Sequence, residues 1–257
     1  TAVILAAGRR DAFDGPAALL TLGEGTILER SLQVLEECGI QNFFIVGGFG
    51  FEQLKEKYSG RANITLMENP RYKWSGTMYG LSLLAGQLKD GFLLLKSDLV
   101  FEQKAISALL EERSPFSALL AAPSDHGDET FVELDGEGDI FRISKDLHQM
   151  NRLQGEMTGI VKLSGPVFKM MLNYFAKNEN PYLNYEYVLE NIGRLYRFRG
   201  IMVDDLVWSK VETVSQYQNL VNIVFPRIQR KEKEMREKLA VDTLMEVLEI
   251  PREDILE

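Results

Sequence analysis

Three stretches of this sequence gather residue types able to handle a phosphate or a metal ion. The first is Leu5-Ala6-Ala7-Gly8-Arg9-Arg10. Small residues behind a strand let backbone N–H groups approach a base or phosphate closely, and Arg9 and Arg10 can screen phosphate charge. The spacing is neither G-x-G-x-x-G nor G-x-x-x-x-G-K-[ST], so an ordinary strand-to-loop turn reads equally well here. The second stretch is Ser97-Asp98, closing the apolar run 92–95. A carboxylate leaving a buried strand is costly unless it binds a cation or caps a helix. Mg²⁺ takes one or two carboxylates plus substrate phosphates, which such a rim would offer. The third is Trp208-Ser-Lys-Val-Glu212-Thr213. Glu212 ends an alternating strand as Asp98 does, and the two could pinch one Mg²⁺; alone, Glu212 would favour a helix N-terminus electrostatically.

Aromatic residues cluster twice, as Tyr72, Trp74 and Tyr79 and as Tyr182, Tyr185 and Tyr187. Aromatic faces hold quaternary ammonium groups by cation–π attraction, and Glu156 or Glu186 could complete such a pocket. An aminoethyl ligand would prefer the carboxylates, and each ring taken singly reads as core. His126 and His148 lack a partner at metal spacing and read as surface residues. Cys38, the single cysteine, falls in a predicted helix and reads as core filler; it excludes an internal disulfide and points to a reducing cytoplasm.

These residues must be held by a frame. Apolar strand-like runs at 2–7, 42–46, 64–67, 92–95 and 117–121 alternate with helical patterns at 26–38, 53–58, 77–88 and 104–112. Thr26-Ile-Leu-Glu29 carries the spacing of a capping box. Such alternation predicts a parallel sheet covered on both faces, with ligands at the carboxyl ends of its strands. Gly8, Gly47, Asn69 and Asp98 each follow a predicted strand and should share that rim. The pattern then changes: a hairpin at 130–144, a strand at 159–163, helices at 165–176 and 183–193, one or two strands within 197–211 and a helix at 214–223. The charged segment 230–238 and the amphipathic stretch after it read as a solvated terminal helix or as the opening of a following domain.

Composition sets outer limits. The chain has 257 residues, 29 Lys plus Arg against 38 Asp plus Glu, and a net charge of −9. An acidic chain without a long basic stripe is a poor binder of nucleic-acid backbones, so phosphate must be met locally. No apolar run is long enough to span a membrane.

Taken in order, these pieces resemble a known family. The opening strand with LAAG, a proline loop followed by Leu19-Leu-Thr-Leu-Gly23, Thr26-Ile-Leu-Glu-Arg-Ser-Leu32 and Glu37-Cys-Gly-Ile40 are similar to nucleotidyltransferases that make nucleoside-diphosphate conjugates. Asn69-Pro-Arg-Tyr72, Ser75-Gly-Thr-Met-Tyr-Gly-Leu-Ser-Leu83, Leu93-Leu-Leu-Lys-Ser-Asp-Leu99, Gly127–Glu133, Ile143-Ser-Lys-Asp146, Gly155-Glu-Met-Thr-Gly-Ile160, Asn184-Tyr-Glu186 and Trp208–Thr213 resemble the small cytidylyltransferases acting on phosphocholine or 2-aminoethylphosphonate. The resemblance covers residues 1–225. It implies an α/β, three-layer Rossmann-like nucleotidyltransferase (GT-A-like) fold with a mostly parallel central sheet and a small β-rich insertion. It further implies Mg²⁺-dependent transfer of CMP from CTP to a small phosphorylated amino-alcohol, by a cytoplasmic monomer or homodimer. Leu5, Ala6, Ala7, Gly8, Asn69, Ser75, Gly76 and Thr77 would hold the nucleotide, and Asp98 and Glu212 the metal. Arg9 and Arg10 would assist the chemistry, and Trp74, Tyr79, Lys145, Glu156, Tyr185 and Glu186 would hold the acceptor.

Residues 226–257 would form a helical extension. Leu244–Leu256 resembles the start of bacterial choline kinase-like domains, which favours phosphocholine over 2-aminoethylphosphonate, phosphoethanolamine or a sugar or inositol phosphate. One departure stands out: the family places a lysine directly after the loop proline, whereas Pro16 is followed by Ala17-Ala18. That leaves a non-catalytic nucleotide-binding domain as a reading from another class.

Overall fold

The computed structural model describes residues 1–124, 127 and 129–248, with side chains described through residue 241. His126, Asp128 within the Gly127–Glu133 motif, and the stretch after Leu248 lie outside the described residues. The chain runs β1 (Ala2–Ala6), β2 (Thr21–Leu22), β3 (Gly25–Thr26), α1 (Ile27–Glu37), β4 (Phe43–Gly47), α2 (Phe51–Tyr58), β5 (Ile64–Glu68), α3 (Thr77–Ser82) and β6 (Phe92–Lys96). It continues through β7 (Leu99–Phe101), α4 (Lys104–Glu111), β8 (Phe116–Ala121), β9 (Phe131–Leu134), β10 (Ile140–Ser144) and β11 (Gly155–Leu163). The last elements are α5 (Gly165–Ala176), α6 (Tyr185–Gly193), β12 (Arg199–Met202), β13 (Trp208–Lys210), α7 (Val214–Asn219) and α8 (Phe225–Leu248).

The central sheet runs β5-β4-β1-β6-β11-β8-β12. β5, β4, β1 and β6 pair in parallel, as do β8 and β12, while β11 lies antiparallel between β6 and β8. The sheet is therefore mostly parallel, as expected, with one reversed strand inserted. The β9–β10 hairpin pairs with the start of β11 and forms the β-rich insertion.

Alternation along β1 and β6 builds two cores, one per face. Val3, Leu5, Phe92 and Leu94 pack with Met78, Val167, Phe168, Tyr185 and Leu189 from α3, α5 and α6. Ala2, Ile4, Leu93 and Leu95 pack with Leu28, Leu32, Leu54 and Ile106 from α1, α2 and α4. Every residue of β1 is buried, as parallel strands covered on both faces require. A third, smaller cluster joins Leu22, Ile27, Val100, Val207, Val211, Leu220 and Ile228 where β7, β13 and the C-terminal helices meet.

Four expectations shift. The helix over 77–88 stops at Ser82; a tight succession of turns follows, in which Gly86 takes φ +80°, a left-handed conformation that ends regular helix. The strand over 159–163 begins at Gly155, because Gly159 at φ +91° accommodates a bulge where pairing with β8 changes register. At Thr26 the capping is one-sided: Thr26 Oγ1 accepts from Glu29 N, but the Glu29 carboxylate takes the Thr26 hydroxyl rather than its backbone N–H. A full capping box forms instead at Thr213 and Gln216. Finally, α7 continues through a π turn at Leu220–Val224 into α8. Residue 225/226 thus lies inside continuous helix, and the residues just beyond it, 228–232, pack on the sheet domain. Ile228 is buried, Glu232 binds Arg30 and the Gln103 N–H, and Lys231 pairs with Glu102 and Asp205.

Candidate active site

A cleft lies at the carboxyl ends of β1, β4 and β6. The residues after β1 form one side of it: Leu5, Ala6, Ala7, Gly8 and Arg10, then Pro16 and Ala17. Asn69 after β5 and Ser75-Gly76-Thr77 at the start of α3 form the next. All eight residues assigned to the nucleotide therefore face one space.

Local bonding explains why this wall is rigid. Asn69 Oδ1 accepts from Arg71 N at 2.9 Å, while Ser75 Oγ donates to Arg71 O at 2.9 Å. Gly76 N donates to Pro181 O at 2.8 Å, and a Cβ at Gly76 would collide with the carbonyl oxygens of Tyr182 and Leu183. Asn184 caps α6 in sequence terms, yet its Oδ1 accepts from Thr77 N at 3.1 Å while Thr77 Oγ1 accepts from Tyr185 N at 3.0 Å. α3 and α6 are laced together at their N-termini, both aimed at the cleft.

The charged end is assembled from distant residues. β7 and β13 pair antiparallel, with Leu99 opposite Lys210, and Val211 N donates to Asp98 O at 3.0 Å. This ladder brings Asp98 and Glu212 together. Arg10 bridges them, its Nη2 standing 2.6 Å from Asp98 Oδ2 and 3.4 Å from Glu212 Oε1. No helix begins at Asp98, since β7 follows directly, so helix capping does not account for it. Asp98 is buried and its Oδ1 has neither solvent nor a hydrogen-bond partner. A paired but incompletely satisfied buried carboxylate fits a group completed by a bound cation.

Lys96, Asn184, Tyr72, Ser97, Lys145 and Glu186 line the remainder. Lys96 Nζ stands 2.9 Å from Glu186 Oε1, and Glu186 Oε2 is a second buried oxygen without a partner. Burial alone would lower the Lys96 pKa, but Glu186, with Tyr185 and Asp98 beyond it, reverses this and holds the ammonium above the usual lysine range. Burial raises the Tyr185 phenol well above its usual range, with Glu186 adding to the shift.

Several residues expected at the site stand elsewhere. Arg9 leaves the cleft: it pairs with Asp11 at 3.0 Å and lies over the Phe49 ring. Trp74 and Tyr79 line a neighbouring depression with Arg71, Phe175 and Tyr182, and Trp74 is 63% exposed. Tyr185 is fully buried in the core beneath the cleft, and Tyr187 points outward. Glu156 is buried on β11, where it accepts from Ser124 N and Oγ. The aromatic cage is therefore not built around the cleft; Tyr72 is the one ring in its lining. Lys96 and Asn184 carried no role in the sequence reading. The signal for Lys96 was its position two residues before Asp98; Asn184 stood in the Asn184-Tyr-Glu186 motif, but its partner Thr77 is far away in sequence.

The sheet is mostly parallel between helical layers, with a small-residue loop after β1 and Asp98 just beyond β6. Residues 2–174 match the MobA-like NTP transferase domain, and the chain belongs to that family. The bifunctional IPC transferase and DIPP synthase of Thermococcus kodakarensis is 26% identical over 217 residues, covering 82% of this chain and 48% of that protein. The choline-phosphate cytidylyltransferase of Haemophilus influenzae is 29% identical over 167 residues, covering 62% of this chain and 66% of that one. The fold is also that of the inositol-1-phosphate CTP transferase from T. maritima, with TM-score 0.75, 16% identity, and coverage of 89% and 95%. The chain spans about half the length of the curated relatives it matches first. No described helix is long and apolar enough to cross a membrane.

Proposed function

We propose that this cleft transfers CMP from CTP to the phosphate or phosphonate oxygen of a small acceptor. The observation that carries the reading is the pair Asp98, which lines the cleft opposite a wall of small residues, and Glu212, which the β7–β13 ladder brings to the same Arg10 guanidinium. The reaction is attack of an acceptor oxygen on the α-phosphorus of CTP, with the bond to the pyrophosphate oxygen breaking and pyrophosphate leaving. In-line phosphoryl chemistry needs positioning and charge neutralisation rather than a protein nucleophile.

Asp98 and Glu212 would hold a divalent cation, taken to be Mg²⁺, which when bound neutralises charge on the phosphates. Among the described residues no group of three or more His, Cys, Asp or Glu could hold a metal, so the protein offers two carboxylates and substrate phosphates supply further oxygens. The backbone of Ala6, Ala7 and Gly8 binds the nucleotide, and Asn69, Ser75 and Thr77 fix its orientation. Arg10, released from the two carboxylates, turns its guanidinium to the phosphates. The similar proteins act on choline phosphate and inositol 1-phosphate, and a lining with Lys96, Lys145, Asn184 and Glu186 but a single ring suits an acceptor with hydrogen-bonding groups better than a choline head group. A pyrophosphate-release screen of CTP, UTP, ATP and GTP against phosphocholine, phosphoethanolamine, aminoethylphosphonate and inositol 1-phosphate tests the reading. CTP-dependent release with at least one acceptor is expected.

One observation favours a second reading. Ala17 lines the cleft where the resemblance implies a lysine. Calorimetric CTP binding without pyrophosphate release, persisting in Ala17→Lys, would favour a non-catalytic nucleotide-binding domain.

A further inference from the structure

Two carboxylate oxygens in residues that line the cleft are buried and unpartnered: Asp98 Oδ1 and Glu186 Oε2. A carboxylate oxygen hidden from water without a partner is costly, so each asks for a cation or a hydrogen-bond donor from a ligand. The proposed metal answers Asp98. It does not answer Glu186, because the Lys96 ammonium at 2.9 Å from Oε1 already supplies the positive charge there and repels a second metal ion. What remains for Oε2 is an N–H or O–H donor.

Lys96 has its own unfilled capacity. An ammonium carries three donors, and Glu186 Oε1 occupies one. Its side chain lines the cleft and is 26% exposed, two residues from Asp98. The stem is seated by a backbone device: Gly159 holds φ +91°, and a Cβ there would stand 3.2 Å from Lys96 Cδ. Glu186 is seated too, in the first turn of α6, whose start is tied to Thr77 through Asn184. Both residues thus line the same cleft, side by side and near Asp98, with opposite charges and each with a hydrogen-bonding position left unfilled.

Resting on the transferase reading above, we propose that Lys96 and Glu186 form the acceptor-recognition pair of this cleft. Lys96 holds the acceptor's phosphate or phosphonate beside the reacting centre, and Glu186 Oε2 accepts a hydrogen bond from the acceptor's head group. The acceptor class is a small phosphorylated or phosphonylated molecule whose head group donates an N–H or O–H: a primary ammonium or a hydroxyl. A quaternary ammonium has no such donor and leaves Oε2 unpaired, so phosphocholine is the disfavoured acceptor.

The test compares phosphoethanolamine, inositol 1-phosphate and phosphocholine on the full chain, by pyrophosphate release with CTP and by calorimetric binding of each acceptor. Phosphoethanolamine or inositol 1-phosphate should exceed phosphocholine by about tenfold or more in kcat/KM and in affinity, the usual cost of one unpaired buried polar group. The arm that prevails separates ammonium from hydroxyl. Lys96→Met should raise acceptor KM about tenfold or more while CTP KM stays within about twofold. Because removing Lys96 alone leaves Glu186 buried without its ion-pair partner, the double variant Lys96→Met/Glu186→Leu removes both charges. It should keep its melting midpoint and CTP affinity but lose discrimination among the three acceptors. A preference for phosphocholine in the unmodified chain overturns the proposal. So does a folded variant with unchanged acceptor KM and discrimination, or one whose loss falls on CTP instead. Absence of pyrophosphate release with every acceptor would defeat the transferase reading, while the binding comparison would still judge the pair.

Discussion

The two ends of the cleft are built on opposite plans. On the nucleotide wall, side chains and backbone satisfy one another: Asn69 with Arg71, Ser75 with Arg71, Gly76 with Pro181, Thr77 with Asn184. Little is left over, and the wall is complete before any ligand arrives. At the charged end, Asp98 Oδ1 and Glu186 Oε2 are buried without partners, and an arginine stands between two carboxylates. Folding finishes the first region and leaves the second to be finished by what binds. Uncompensated buried polar atoms persist only where the surrounding structure holds them, and they concentrate where ligands act.

Breaking each end should therefore give a different failure. Asp98→Ala removes a group that folding does not use through its side chain except to hold Arg10, so turnover should drop by about 10³-fold or more. The melting midpoint should stay near the parent's. A variant retaining full pyrophosphate release would remove Asp98 from the metal assignment. Gly76→Ala strikes the finished wall, where a Cβ meets the carbonyl oxygens of Tyr182 and Leu183. Backbone cannot yield as a side-chain tip can, so a loss of about 2–3 kcal/mol in urea unfolding is expected, with nucleotide affinity falling alongside. Unchanged stability would mean that the α3–α6 lacing is looser than its hydrogen bonds indicate.

The same contrast governs what the sequence revealed. The small-residue wall is written in short contiguous runs, Leu5–Gly8 and Ser75–Thr77; strand-then-small-residue patterning drew attention to the first, and the family resemblance to the second. The alternation of strands and helices likewise announced the parallel sheet. The reversed β11 was not announced, because a single strand of Gly155–Leu163 carries no mark of its direction. The acceptor end failed for a related reason. Tyr79, Trp74 and Tyr185 share segments with true lining residues, but one helical turn decides whether a ring faces the cleft, a neighbouring depression or the core. Tyr185 and Glu186 are adjacent, yet the ring is sealed in and the carboxylate lines the cleft. Lys96 acquires meaning only when β6 is set against α6, a contact between residues far apart in sequence.

Ala17→Lys sharpens the comparison from between the two ends. Ala17 lines the cleft beside Arg10 and Pro16, so a lysine there would add a cation to those of Arg10, Lys96 and Lys145. One charge-assisted contact to a triphosphate should raise kcat/KM for CTP by about tenfold. Steady-state kinetics at varied CTP would read this directly, and a fall instead would mean that the loop is already complete as it stands.

The smallest effect is expected at Glu156, a carboxylate that belongs to neither end. Burial raises its pKa, an effect that the Ser124 hydrogen bonds oppose without cancelling. A carboxyl whose folded pKa exceeds its unfolded value binds its proton more tightly when folded. Its contribution to stability is thus full below the ordinary glutamate range and declines as pH rises through the folded value. Glu156→Gln keeps an acceptor for Ser124 and removes that titration. The variant should match the parent in acid and gain on it toward neutral pH, by a modest margin because the two Ser124 bonds already favour the charged form. Urea midpoints measured across that range decide the point. Parallel curves for the two proteins would mean that Glu156 ionises as freely folded as unfolded. A gain at neutral pH accompanied by unchanged acceptor KM would instead mark Glu156 as a buried structural carboxylate. It would then differ from Glu186, which is also buried but belongs to the cleft lining and has an oxygen left unpaired.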